Sequence, residues 1–121
     1  MNLHPAILEH IEREHADALA APPQLNQDAL TVVLRNGVTL TVRYAAPDAY
    51  SLRWNTGPGT PETGINTAPV HAHLPTYPNH LLHADGTVAA DPITRSDASP
   101  EANVGALIAA LARDPLLASR P

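Results

Sequence analysis

Four of the chain's seven histidines, His71, His73, His80 and His83, fall within residues 65–86, INTAPVHAHLPTYPNHLLHADG. Imidazole is the side chain whose ordinary pKa lies closest to neutrality, so a cluster of this density has two chemical uses. One is metal-free acid–base work on a phosphodiester. One imidazole takes the proton of a ribose hydroxyl, a second protonates the leaving oxygen, and an arginine stabilises the phosphorane. That chemistry casts His71 and His80 as the acid–base pair and Arg53 as the phosphate holder, with Arg43 on the same polar strand face. The other use is a metal site. His71-Ala72-His73 in an extended segment places two imidazoles on one side, and His80 and His83 add ligands across a tight loop. Three neutral imidazoles and a water make a familiar catalytic zinc set. Pro69, Pro75 and Pro78 make the segment irregular, however, and no acidic residue joins it before Asp85. Without either use, the segment is a solvated or partner-binding loop.

The remaining histidines offer less. HIEREH at residues 10–15 has a metalloprotease look with the wrong spacing. Five residues apart on one helix, His10 and His15 point roughly 140° from each other, which predicts His15 at the core edge, His10 in solvent and no shared metal. The chain contains no cysteine, which excludes disulfides, thiolate zinc sites and thiol nucleophiles. Its net charge of −5 with neutral histidines provides no overall electrostatic footprint for nucleic acid. No cationic start leads into an apolar run, and no apolar stretch approaches ~18 residues. The expectation is a cytoplasmic protein without signal peptide or membrane span.

The elements that must position these side chains read as one domain of 121 residues. A helix is predicted over 5–20, within an N-terminal segment 1–22. Its stripe is Leu8, Ile11, His15 and Leu19, and Pro5 lies in its first turn. A β-meander follows over 29–55. Asn36-Gly37 first suggests a two-residue turn, but that register sets apolar residues against polar ones. A three-residue loop at 35–37 instead pairs Leu34 with Val38, Val32 with Leu40 and Leu30 with Val42. The core face then carries Leu30, Val32, Leu34, Val38, Leu40, Val42, Tyr44, Tyr50, Leu52 and Trp54. The other face carries Thr31, Thr39, Thr41, Arg43, Ser51 and Arg53. Residues 56–64 read as a flexible loop, 65–92 as the histidine segment with two brief strands about Asp85-Gly86, and 99–114 as a C-terminal helix capped by Ser99. The expected class is α+β: a four- to five-stranded antiparallel meander with both helices on one face.

YSLRW, INTAPVH, TYPNHLLH and a terminal amphipathic helix together resemble the TumE-like toxin family of bacterial toxin–antitoxin loci. The resemblance spans roughly residues 30–113. Asn66, Ala68, Pro69 and His71 match that family's Asp-Asn-Ala-Pro-His-His stretch, and Tyr77, Pro78, His80 and His83 match its Phe-Pro-His-His-x-His stretch. Asn66-Thr67 stands where the family has Asp-Asn, Val70 and Asn79 stand where it has the first histidine of each pair, and one residue is inserted before His83. The resemblance implies a toxin with a cognate antitoxin as partner and RNA as substrate. Asn66, His73, Tyr77, His83 and Arg43 then join the binding surface. The residues leave a second reading open: a non-catalytic interaction or zinc-binding domain, in which an exposed strand edge supports a homodimer.

Overall fold

The computed structural model describes residues 2–117; Met1 and residues 118–121, the ends of the expected domain, lie outside them. The fold is α+β, with one antiparallel sheet and two helices. The sheet has seven strands rather than four or five. They are β1 (Gln24–Asn26), β2 (Ala29–Val33), β3 (Thr39–Ala46), β4 (Ala49–Asn55), β5 (Thr63–Asn66), β6 (His80–Leu82) and β7 (Val88–Ala90), arranged spatially in chain order as an unbroken meander.

The alternation of apolar and polar residues sets the faces. Leu30 pairs with Val42 and Val32 with Leu40, and Leu34 N–H donates to Val38 O at 2.8 Å. Gly37 adopts φ +92°, the left-handed conformation that the three-residue loop requires. Asn36 reinforces this loop, accepting from Val38 N–H at 3.3 Å and donating to Leu111 O at 3.0 Å. The same device recurs between β6 and β7. There His83 N–H donates to Thr87 O, Gly86 N–H donates to His83 O, and Gly86 has φ +91°.

Two expected boundaries move. The first helix, α1 (His4–Glu14), stops six residues short of the expected end. Beyond it the chain is recruited to the sheet: Leu19 bridges Leu34, and Ala20 N–H donates to Val33 O at 2.9 Å. A short 3-10 turn, Ala16–Ala18, makes the connection. The loop expected over 56–64 ends at 62, because Thr63 and Gly64 pair with Trp54 and Arg53 as part of β5. Within it, Thr60 Oγ1 donates to Gly57 O at 2.6 Å and accepts from Thr56 N–H at 3.1 Å.

All ten residues assigned to the core face of the meander are buried, and they form one cluster with Ile65, Leu81, Ile7 and Ile11. The second helix, α2 (Pro100–Arg113), adds Val104, Leu107, Ile108 and Leu111. Ser99 caps it by accepting from Ala102 N–H at 3.0 Å. The backbone of α2 runs closest to α1 and the 3-10 turn rather than to any strand. His4 fastens α1 to the sheet: its Nε2 accepts from Tyr44 N–H at 3.1 Å, and its Nδ1 donates to Asn2 Oδ1 at 2.8 Å. Among the described residues no helix is long and apolar enough to cross a membrane.

Candidate functional site

The histidine segment lies at the β5–β7 end of the sheet, on the face turned away from the core cluster. Leu81 of β6 points into the core, so strand alternation puts His80 and Leu82 on the opposite side. Cross-strand pairing then forms a row there: Arg43, Ser51, Asn66, His80 and Ala90 lie opposite one another in turn. A second row runs Thr31, Thr41, Arg53, Gly64, Leu82 and Val88. Strands are spaced ~4.8 Å apart, so Asn66 adjoins His80, whereas Arg43 lies three strands from it.

Residues 67–79 fold over one end of this face through a chain of tight turns. Leu74 N–H donates to His71 O, Tyr77 N–H to Leu74 O and Asn79 N–H to Thr76 O. The Tyr77-Pro78 peptide is cis. Thr67 ties the start of the loop to β4, its hydroxyl accepting from Tyr50 N–H at 3.0 Å. The loop lays the His71 ring edge-on against that of His80, with centroids 4.7 Å apart and planes at 74°. The His73 ring lies 6.0 Å from that of His71, also edge-on, with planes at 88°. His80 Nδ1 lies 3.3 Å from Pro78 O, the geometry of a donated bond, which leaves the lone pair of the neutral ring on Nε2.

Exposure separates the three rings. His80 is 3% exposed, His71 is half-buried and His73 is exposed. Of the expected acid–base pair, therefore, only His71 is presented to a large substrate, with His73 as the accessible neighbour. Arg53 is on the same face, with Gly64 opposite it. A Cβ on Gly64 would lie 3.5 Å from Arg53 Cγ, so the glycine leaves room for the side chain. Its guanidinium pairs with Glu62 at 3.8 Å. Ser51, Arg53, Glu62, Gly64, Asn66 and Leu82 line a hollow of about 250 Å³.

Other expected members of the site lie elsewhere. His83 occupies the β6–β7 loop in a separate hollow with Thr63, Asp85 and Leu116, so the four-histidine set is not assembled around one point. Among the described residues no group of three or more histidines and carboxylates is disposed to hold a metal ion. Tyr77 is half-exposed and lines another hollow with Asn79 and residues 94–97. The expected divergence of His10 and His15 is overturned. Because α1 ends at Glu14, His15 leaves the helical path, and the two rings come within 5.6 Å, both half-buried.

The support beneath the histidine loop was not anticipated. Asn79, Asp91 and Thr94 are all buried. Asn79 Nδ2 donates to Tyr50 Oη at 2.8 Å and to Asp91 Oδ2 at 3.1 Å, and the Thr94 hydroxyl also donates to Asp91 Oδ2. Asp91 Oδ1 accepts from Ile93 N–H and Thr94 N–H, both at 2.9 Å, and its own N–H donates to Thr76 Oγ1 at 3.0 Å. Burial pushes the Tyr50 phenol above its ordinary pKa, partly offset by its bonds with Thr94 and Asn79. The sequence signal for this network is DPIT at residues 91–94, an aspartate followed by proline, as in turns where the carboxylate caps amides two and three residues on.

No family model matches the chain, and neither a curated protein nor a solved structure matches it.

Proposed function

We propose that the polar sheet face bearing His71 is the working surface of a small toxin-like protein of a bacterial toxin–antitoxin pair, acting in the cytoplasm as a metal-independent ribonuclease. The observation that carries this reading is the contact of the His71 ring with both His80 and His73, on the face that also bears Asn66 and Arg53. His71 Nε2 or Nδ1 takes the proton of a ribose 2′-hydroxyl, and the 2′-oxygen attacks phosphorus. The 5′-oxygen leaves with a proton from the exposed His73 imidazolium, giving a 2′,3′-cyclic phosphate. Arg53 exchanges Glu62 for the phosphorane's negative charge. His80, too buried to touch RNA, is a positioning residue that fixes the His71 ring, and Arg43 and Asn66 hold the flanking backbone.

The test is induced expression in a bacterial host, together with cleavage of RNA in EDTA. The unaltered chain arrests growth and yields cyclic phosphates, and His71→Ala abolishes both. His80→Ala and Arg53→Ala each mainly lower kcat, and Arg43→Ala mainly raises KM. Undiminished toxicity of His71→Ala would falsify the mechanism.

The deep burial of His80 favours a second reading, in which the rings form a non-catalytic clasp and the polar face binds a partner such as the cognate antitoxin or a second copy. In that case antitoxin binding is lost in His71→Ala, and no RNA is cleaved by either form.

A further inference from the structure

The convergence of His10 and His15 stands apart from the proposed site, at the seam between α1 and α2, and is independent of the toxin reading. We propose that these two imidazoles form a binding site for a divalent transition-metal ion. Three observations carry it.

First, the two nitrogens share a target. The point where a Cβ on Gly105 of α2 would stand lies 2.7 Å from His15 Nε2 and 3.2 Å from His10 Nε2. The two nitrogens therefore lie no more than about 5.9 Å apart, and turning both half-buried rings off the α2 backbone brings them within reach of one ion at the ~2.0–2.1 Å of a metal–imidazole bond.

Second, room for the two rings against α2 is kept by a residue that costs its helix stability. Gly105 lies in the interior of α2, where glycine is the least favourable residue after proline. Any side chain there meets the His15 ring within van der Waals distance.

Third, the lone pairs are unclaimed. Among the described residues neither ring nitrogen of His10 or His15 has a hydrogen-bond partner, unlike His4 and His80. Burial, then the neighbouring His10, lowers the pKa of His15, which favours the neutral form of its ring. Glu14 acts on His15 in the opposite sense, while its carboxylate is paired with Arg13 at 3.1 Å.

The donor set selects the ion. Two nitrogens without a carboxylate cage suit Zn²⁺, Cu²⁺ or Ni²⁺ rather than Mg²⁺ or Ca²⁺. No third histidine or carboxylate completes the set among the described residues, so water fills the remaining positions. A bound ion clasps the end of α1 to α2, whose backbones approach closely there.

The experiment is a Zn²⁺ titration of the untagged chain at pH 7, followed through the histidine ring resonances. One equivalent is expected to shift His10 and His15 together. His10→Gln and His15→Gln each weaken binding by at least ~10-fold, and a His71→Ala/His73→Ala variant leaves it unchanged. At pH 5.5, where protons compete for the same lone pairs, the shifts disappear. Gln is accommodated at half-exposed positions, and the amide spectrum verifies folding of each variant. Shifts confined to residues 71–83, equal affinity in His10→Gln, or no response at millimolar Zn²⁺ would each overturn the site.

Discussion

The two ends of the sheet are continuous in topology and opposite in what holds them together. From β2 to β4 the strands run five, eight and seven residues, and their inward side chains are apolar but for the hydroxyls of Tyr44 and Tyr50, the latter reaching into the polar network of the other half. From β5 to β7 they shrink to four, three and three residues, and the buried side chains include Asn79, His80, Asp91 and Thr94. The first half draws its stability from apolar area removed from water, which is tolerant of direction. The second draws it from hydrogen bonds, which hold only while every partner is present. Directional bonds fix orientation, and orientation is what the His71–His80 contact needs.

The comparison breaks most forcefully at the apolar end. Leu52→Ala empties a fully buried position in β4 and is expected to cost about 2–5 kcal/mol, read as a lower midpoint in urea unfolding. The loss is global, so every amide in the sheet loses protection together. At the polar end, Asp91→Ala strands the donors of Asn79, Thr94 and Ile93 and is expected to cost about 1–3 kcal/mol. Hydrogen exchange should then accelerate in β6 and β7 while β2–β4 remains protected, and the His71–His80 ring contact should be lost. Uniform acceleration across the sheet would show that the two halves unfold as one unit.

The smallest expected effect sharpens the comparison through pH. Burial lowers the pKa of His4, opposed by Asp28, and the Tyr44 N–H pointing at Nε2 requires that nitrogen unprotonated. The folded state thus binds fewer protons than the unfolded one. The contribution of His4 is complete above the unfolded value of about 6.5 and is lost as pH falls below it toward the folded value. His15 is shifted in the same direction, so both steepen the loss. Urea midpoints between pH 7.5 and 5 should fall for the unaltered chain and fall less for His4→Gln.

The apolar half was legible because its information is local. Alternation assigned residues 30–32, 39–44 and 50–54 of β2–β4 to a face, and the mismatch of Leu34 with Thr39 selected the three-residue loop. The polar half was legible only in part. The Asp85-Gly86 turn marked β6 and β7 on either side of it, but the partners of Asn79 lie 12 to 29 residues away, beyond any local pattern. The end of α1 was missed because Leu19 fits the helical stripe equally well, and only its bridge to Leu34 decides against it. The meeting of His10 and His15 depends on that same break, so an argument from ideal helical angles had the wrong geometry to work with.

Trp54 is the chain's single tryptophan, and its indole N–H donates to Pro115 O at 2.9 Å, just past the end of α2. The ring is buried in the apolar half, whereas its polar tip holds the C-terminal segment. This makes the residue an intrinsic optical probe with two separable responses. Release of the C-terminal segment rehydrates the indole nitrogen and alters the emission modestly, with the far-UV dichroism of the sheet intact. Loss of the core exposes the whole ring and produces the full red shift. One fluorophore, with no label attached, can therefore time the departure of the tail against the collapse of the fold.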